Sequence, residues 1–104
     1  MDKKNWIEVC NIDDIEVDDV YELVHNNHVY GIFRIESGYY AMDGLCTHEQ
    51  ASLVDGYIHD DIVECPKHSA RFQIPTGKAL RRPACIDLKT YPLKIVEGRI
   101  IIEI

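Results

Sequence analysis

The sequence predicts an all-β protein whose regular body carries one loop-rich insertion. Short runs of alternating polar and apolar residues recur along the chain, turn-forming pairs separate them, and no segment of ten or more residues shows a clean helical period. The length of 104 residues suits a single domain, residues 1–104. Three of the six glycines and two of the four prolines lie at about 44–80, which predicts a loop-rich subdomain inserted in the β body.

The elements follow one another as short strands and tight turns. The strand-like runs lie at 6–10, 21–25, 28–35, 39–42, 62–64, 71–74, 91–96 and 99–104. Asn26-Asn27 predicts a hairpin turn, because asparagine tolerates left-handed backbone conformations. Ser37-Gly38 and Glu97-Gly98 predict two further turns. The stretch 12–14 is the one candidate for a short helix.

The chain is acidic, with a formal net charge of −7. Nucleic acid and anionic membrane surfaces would repel it, so neither is an expected partner, whereas a protein with a basic patch is. The acidic stretch from Asp13 to Glu22 contains no basic residue, and it is either a solvated loop or a segment that steers docking. No apolar run is long enough to span a bilayer, and residues 1–6 lack the apolar core of a signal peptide, so a cytoplasmic location is expected.

Two Cys/His pairs in the irregular segment carry the chemistry. Cys46 and His48 form Cys-x-His, and after sixteen further residues Cys65 and His68 form Cys-x-x-His. Two unrelated pairs are the plain alternative, but near-mirrored spacing favours a metal-ligand set. Zinc is the rival metal, although zinc sites usually pair Cys with Cys and His with His. One Cys and one His in each loop suits a binuclear [2Fe–2S] cluster in which each loop binds both irons.

These residues are also those of a known family. The matching stretches are 46–53, Gly56, 64–72, Thr76-Gly77 and the tail 83–93. Over about residues 5–104 the sequence resembles the soluble Rieske ferredoxins that serve bacterial ring-hydroxylating oxygenases, and its tail also resembles ferredoxins linked to rhizopine catabolism. The resemblance implies the Rieske iron–sulfur fold, an antiparallel β-sandwich or barrel body with a small cluster-binding subdomain. It further implies one [2Fe–2S] cluster, with the buried iron held by Cys46 and Cys65 and the outer iron by Nδ1 of His48 and His68.

The neighbours of these ligands predict a low reduction potential. High-potential Rieske proteins of respiratory complexes have a bracing disulfide at positions that are Ala51 and Lys67 here. They also place a Ser and a Tyr whose hydroxyls donate to cluster or ligand sulfur; here these positions are Ala70 and Phe72, which cannot donate. Without these hydrogen-bond donors the reduced form of the cluster is less favoured. We therefore expect a reduction potential near the bottom of the Rieske range of about −150 to +300 mV. Ser69 stands where many relatives have glycine, and this difference removes no ligand.

The resemblance implies an electron carrier rather than an enzyme. A full ligand set leaves no open coordination position, and the sequence has no Gly-rich nucleotide motif, so flavin and NAD(P)H belong to another protein. The implied partners are an NAD(P)H-dependent flavin reductase and a terminal oxygenase that acts on aromatic compounds, and the carrier is expected to be a monomer. Two alternatives stay open: a small Rieske subunit of a larger complex, as in nitrite-reductase-like systems, and a structural zinc module for protein interaction.

Several other residues have simpler expected places. Cys10 and Cys85 lack ligand-spaced neighbours and are expected to be buried thiols. The histidines expected on the surface are His25, His28 and His59. The residues expected to form an apolar rim around the cluster tip are Leu53, Pro66 and Pro83.

Overall fold

The computed structural model describes residues 5–46, 51–66, 70–81 and 86–104, and these residues form an almost entirely β architecture. The strands are β1 (Trp6–Asn11), β2 (Asp19–His25), β3 (His28–Ile35), β4 (Gly38–Asp43), β5 (Tyr57–His59), β6 (Ile62–Glu64), β7 (Arg71–Gln73), β8 (Ala79–Arg81), β9 (Thr90–Tyr91), β10 (Leu93–Val96) and β11 (Arg99–Glu103). Single-turn 3₁₀ helices lie at Ile12–Asp14 and Leu53–Asp55. The all-β class and the short helix at 12–14 are therefore confirmed.

Three antiparallel sheets build the protein. The body sheet has the order β1-β11-β10, the central sheet β2-β3-β4-β9, and the small sheet β5-β6-β7-β8. The central sheet is buried on both faces. Tyr30 and Ile32 pack with Ile100 and Ile102 of the body sheet, whereas Phe33 belongs to a second core that includes residues of the small sheet. Strand β3 is consequently buried along most of its length, as expected for a strand covered on both sides.

The two predicted hairpins are present. Asn26 and Asn27 have φ values of 50° and 63°, and Glu97 and Gly98 have φ values of 50° and 78°. Positive φ at both central residues is the geometry that matches the twist of a two-residue hairpin. The asparagine turn joins β2 to β3, and the Glu-Gly turn joins β10 to β11.

The structure corrects the sequence prediction at three strands. The run predicted at 91–96 is two strands in different sheets: β9 pairs with β4, and β10 pairs with β11. Pro92 lies at the switch; it lacks an N–H, and its carbonyl accepts from Glu103 N at 3.0 Å. Strands β5 and β8, which lie at the two edges of the small sheet, were not predicted. Within the described ranges, no helix is long and apolar enough to cross a membrane.

A glycine contact fixes the segment after the small sheet. Gly77 has φ +73°, and a Cβ there would lie 2.1 Å from the carbonyl oxygen of Leu88. The amide of Leu88 donates to the Gly77 carbonyl at 2.7 Å, so the two backbones touch directly. The small sheet spans 57–81 between β4 and β9, within or next to the predicted insertion at about 44–80, whose exact boundaries stay a prediction.

Gly77→Ala is expected to lower the free energy of unfolding by about 2–5 kcal/mol, the sum of left-handed backbone strain and a backbone clash. Gly98→Ala is the matched control, because Gly98 has φ +78° but nothing within 4 Å of its would-be Cβ. The control should cost only about 1–2 kcal/mol. Urea unfolding of both variants measures the difference. Equal losses would show that the approach of Leu88 contributes nothing.

Candidate metal centre

The two predicted ligand loops are hairpins built on the same frame. Leu45 pairs with Ser52 at the base of the first, and Glu64 pairs with Arg71 at the base of the second. In both loops the two paired residues are seven positions apart in the sequence. The residue after the base is the cysteine in both cases. The amide of Cys46 donates to the Ala51 carbonyl at 2.8 Å, and the amide of Cys65 donates to the Ala70 carbonyl at 2.7 Å. We call 46–51 the first cysteine loop and 65–70 the second; each presents its cysteine from the equivalent position.

A close backbone approach sets the two loops side by side. The first loop continues into the 3₁₀ helix Leu53–Asp55 and then Gly56, whose amide donates to the Leu53 carbonyl at 3.0 Å. A Cβ on Gly56 would lie 2.6 Å from the carbonyl oxygen of Glu64, the residue before Cys65. Only glycine allows this approach without displacing backbone. The segment that follows the first loop therefore lies directly against the residue that precedes the second loop.

Both cysteines are buried in one apolar cluster. Cys46 is 0% exposed and Cys65 is 2% exposed, and they share a core with Leu53, Ala70 and Phe72. Two buried sulfur donors at equivalent positions on adjacent loops fit the inner half of a Cys₂His₂ cluster ligand set. His48 and His68 lie outside the described residues. Of the predicted set, the structure thus places Cys46 and Cys65 in one core, and across the described residues no three His, Cys, Asp or Glu side chains form a metal-binding group.

Neither of the two positions at which high-potential Rieske proteins have Ser and Tyr carries a hydroxyl in this chain. Ala70 and Phe72 are both fully buried in the core that contains the cysteines. Ala51 packs against the same core. Lys67 and Ser69 lie outside the described residues. Ala51, Ala70 and Phe72 therefore present only hydrocarbon at these positions, and missing hydroxyl donors predict a low reduction potential.

The other residues singled out by sequence have mixed outcomes. Leu53 was predicted at an exposed rim and is 0% exposed: its amide donates to the Gly44 carbonyl at 2.8 Å, which turns its side chain into the core. Pro66 is exposed as predicted. Pro83 and Cys85 lie outside the described residues. Cys10 is buried in the core between the body and central sheets, away from the site, and burial followed by the charge of Asp14 raises the pKa of its thiol.

The acidic stretch is partly ordered against the first cysteine loop. Its last four residues lie on β2, and Glu22 accepts a hydrogen bond of 2.8 Å from the Ser52 hydroxyl. The same hydroxyl accepts from the Val54 amide at 3.2 Å and caps the 3₁₀ helix Leu53–Asp55. Glu22 is therefore more than a solvated surface carboxylate, because it fixes the residue at the base of a ligand loop.

A polar network beside the first cysteine loop was not predicted. His28 donates from Nε2 to Asp43 Oδ1 at 2.6 Å, and the Tyr91 hydroxyl donates to the same oxygen at 2.6 Å. Burial, then the hydrogen bond to Asp43, raises the pKa of Tyr91. His28 and Asp43 also line an open cavity of about 460 Å³ whose wall includes Cys46. Sequence gave no signal, because the three residues lie far apart in the chain. The surface placement predicted for His28 and His59 holds, and His25 is half-buried.

Tyr91→Phe is expected to lower the free energy of unfolding by about 1–2 kcal/mol, and Asp43→Ala by about 2–4 kcal/mol, because the alanine leaves two donors without their acceptor. Partial exposure of Asp43 keeps both figures moderate. Glu36→Ala, at an exposed turn position, is the control and should change stability by less than about 0.5 kcal/mol. Urea unfolding checks the order. A smaller loss for Asp43→Ala than for Tyr91→Phe would contradict the network.

Comparison with family models matches residues 5–92 to the Rieske [2Fe-2S] domain. The chain belongs to this family. The resemblance found in the two Cys/His loops is thereby confirmed, and the cofactor of this Rieske protein is a [2Fe–2S] cluster rather than the zinc ion of the rival interpretation.

Relatives and solved structures agree with the family. The ferredoxin component of the naphthalene 1,2-dioxygenase/salicylate 5-hydroxylase systems of Ralstonia sp. is 40% identical over 100 residues, which cover 96% of each chain. The Sphingomonas yanoikuyae B1 ferredoxin has a TM-score of 0.90 at 31% identity and covers 96% of this chain and 99% of its own. A chain of the oxygenase–ferredoxin complex of carbazole 1,9a-dioxygenase has a TM-score of 0.89 at 26% identity, covering 93% and 91%. These similarities confirm the Rieske fold.

A weaker similarity bears on the nitrite-reductase-like alternative. A putative NADH-dependent nitrite reductase small subunit from Mycobacterium tuberculosis has a TM-score of 0.83 at 20% identity, covering 99% of this chain and 97% of that one. At this identity the similarity shows the fold alone. The alternative therefore has less support than the ferredoxin interpretation.

Proposed function

We propose that this Rieske protein is the ferredoxin component of an aromatic-ring dioxygenase system. It carries single electrons from an NAD(P)H-dependent flavin reductase to a terminal oxygenase and performs no substrate chemistry itself. The observation that carries the proposal is the 40% identity, over 96% of both chains, to a protein named as such a component. Relatives that act with naphthalene and with 3-phenylpropionate or cinnamic acid dioxygenases support an aromatic substrate for the oxygenase.

The proposed ligands are Cys46, His48, Cys65 and His68, with the cysteines on the inner iron and the histidines on the outer one. When bound, the cluster supplies one reversible one-electron site. The chain orients and shields it: paired backbone hydrogen bonds fix both cysteines, and Leu53 and Phe72 exclude water from the inner side. The histidine side of the site is then the side on which an electron enters and leaves.

The setting of the protein is part of the same proposal. We place it in the cytoplasm as a monomer, with residues 1–104 as one domain. Cys10 is a buried thiol and not half of a disulfide, which suits a reducing compartment. A monomer fits a carrier that alternates between two partners. Gel filtration of the purified native protein separates this arrangement from a permanently bound small subunit, which would elute with a larger protein.

A reconstituted system tests the function. NADH, a flavin reductase and a terminal oxygenase of an aromatic dioxygenase system, and an aromatic substrate are mixed with and without the protein. Product should form only when the protein is present, with a rate that saturates as its concentration rises. In the protein alone, dithionite should deliver one electron per cluster and give an EPR spectrum with a lower average g value than an all-cysteine cluster. Equal product without the protein, or a silent spectrum, would refute the proposal.

A further inference from the structure

Asp43 is the last residue of β4 and lies three residues before Cys46 in the sequence. Its Oδ1 accepts two hydrogen bonds of 2.6 Å, one from the Tyr91 hydroxyl and one from Nε2 of His28. Tyr91 lies on β9 and His28 begins β3, and these two strands flank β4 in the central sheet. We call Asp43, Tyr91 and His28 the carboxylate network. It joins three strands at the end of β4 that leads into the first cysteine loop.

Aromatic packing surrounds the carboxylate network. The buried Tyr30 ring contacts both donors, with its centroid 4.5 Å from that of His28 and 5.0 Å from that of Tyr91. Burial, and then the bond to Asp43, raises the pKa of Tyr91, so its hydroxyl stays protonated and remains a donor. The Asp43 side chain is itself 26% exposed. The two bonds are therefore made to a partly buried charged group, for which hydrogen bonds are stronger than between neutral groups.

The backbone between Asp43 and Cys46 links the network to the cysteine. The Gly44 amide donates to the Val29 carbonyl at 2.9 Å, and the Gly44 carbonyl accepts from the Leu53 amide at 2.8 Å. A Cβ on Gly44 would lie 2.8 Å from Cγ1 of Val29, so β3 packs directly on this link. Because the link is short and its backbone is fixed on both sides, a shift of Asp43 would move Cys46 as well.

The two cysteine loops are anchored by different polar contacts. At the base of the second loop, Arg71 Nε donates to Glu64 Oε1 at 2.8 Å, so one ion pair joins both strands of the hairpin. At the base of the first loop, Leu45 has a hydrocarbon side chain, and Ser52 is bonded to Glu22 at 2.8 Å. Glu22 thus anchors the segment that leaves the first loop, and the carboxylate network anchors the segment that enters it.

The carboxylate network also lies beside the cysteine in space. Asp43 and His28 line the open cavity of about 460 Å³ whose wall includes Leu45 and Cys46. Groups around a metal ligand orient it, and their removal typically lowers metal affinity about 10- to 100-fold. The network has the placement that such a role requires.

We propose that Asp43, held by Tyr91 and His28, is a positioning residue for Cys46. It fixes the segment that enters the first cysteine loop, so that the thiolate stays where it binds iron. The inference rests on the proposed function, which makes Cys46 a ligand, and it adds the residues that place this ligand. The alternative is that the network only joins β9 to β4.

A matched pair of tyrosine variants separates positioning from general stability. Tyr91→Phe removes the hydroxyl that donates to Asp43. Tyr39→Phe removes a hydroxyl near the other end of β4, where it donates to the Ile12 carbonyl at 3.0 Å. Each variant loses one side-chain hydrogen bond and no charge, so the two should lose similar stability.

Hydrogen exchange reports the position of the loop without relying on electron transfer. The amides of Gly44 and Cys46 both have backbone acceptors, and their exchange is measured in the cluster-loaded protein by mass spectrometry with fragmentation to single amides. Tyr91→Phe should speed the exchange of both about five- to thirtyfold, and Tyr39→Phe less than about twofold. The Cys65 amide should respond to neither variant. Equal exchange at Gly44 and Cys46 in the two variants would overturn the proposal.

Iron release measures the consequence for the cluster. At a temperature at which all variants are folded, Asp43→Ala should release iron to a chelator about ten- to a hundredfold faster than the wild type. Asp43→Asn keeps an acceptor oxygen for the tyrosine hydroxyl and should stay within about threefold of the wild type. The EPR lines of the reduced cluster should broaden in Asp43→Ala and not in Tyr39→Phe, because Cys46 then occupies a range of positions. Release from Asp43→Asn as fast as from Asp43→Ala would contradict the inference.

Failure of this inference is distinguishable from failure of the proposed function. A wild-type protein that binds no iron after reconstitution would refute the function, whatever the exchange rates. Normal iron content together with equal exchange in Tyr91→Phe and Tyr39→Phe would leave the function standing and show that the network only joins β9 to β4.

Discussion

Replacing any one of Cys46, His48, Cys65 and His68 with alanine is expected to remove the cluster. In the proposed ligand set each residue supplies one of four protein bonds to a two-iron centre, and a missing bond would open an iron to water and to loss. Iron and acid-labile sulfide should fall from two of each per chain to about zero. Both contents are measured on protein purified without oxygen, together with the visible absorbance of the cluster.

Loss of the cluster should also destabilise the chain. Cys46 and Cys65 are buried in the same core, so a cluster bound by both would link two loops that otherwise meet through apolar contacts and the approach of Gly56 to Glu64. Binding free energy for a group that the unfolded chain cannot hold adds directly to folding stability. The melting temperature of each alanine variant should therefore fall together with its iron content.

Cys10 provides the control for the ligand variants. Cys10 is buried in the core between the body and central sheets, which is separate from the core that contains Cys46 and Cys65. Cys10→Ala should keep two irons and two sulfides per chain at a modest cost in stability, about 1 kcal/mol. Full iron content in a His48→Ala or His68→Ala variant would contradict the proposed ligand set, as would loss of iron in Cys10→Ala.

Local chemistry explains what the sequence could predict. Turns at Asn26-Asn27 and Glu97-Gly98 depend on residues that accept positive φ, so two neighbours were enough to locate each hairpin. The Cys/His loops were equally local, since ligand spacing within four residues carries the metal signal. These features need no knowledge of the rest of the chain.

What the sequence could not predict depends on contacts between distant segments. Strands β5 and β8 are the edge strands of the small sheet, and each is defined by pairing with one neighbouring strand. The residues next to Leu53 in the sequence do not show whether its side chain lies at the rim or in the core. In the structure, the hydrogen bond from the Leu53 amide to the Gly44 carbonyl turns the side chain into the core. The bond between His28 and Asp43 joins residues fifteen positions apart, at the start of β3 and the end of β4. Neither hydrophobic periodicity nor motif spacing predicts contacts between residues that are distant in the sequence.

Introducing a hydroxyl beside the cysteines is expected to raise the reduction potential. Ala70 and Phe72 occupy the positions at which high-potential Rieske proteins have Ser and Tyr, and both are fully buried with Cys46 and Cys65. A donated hydrogen bond favours the reduced, more negative cluster over the oxidised one. If this preference is about 1–2 kcal/mol, the potential rises by about 40–90 mV per donor, since a tenfold change for one electron is about 59 mV.

Ala70→Ser and Phe72→Tyr each add one hydroxyl at a fully buried position. The double variant should show close to the sum of the two shifts, measured by redox titration with EPR detection. Ala41→Ser adds the same hydroxyl to the other core, with Cys10, and should leave the potential unchanged. A wild-type midpoint above about +100 mV, well inside the Rieske range, would contradict the low-potential interpretation. An upward shift confined to Ala70→Ser and Phe72→Tyr would show that the missing donors, and not general burial, keep this ferredoxin's potential low.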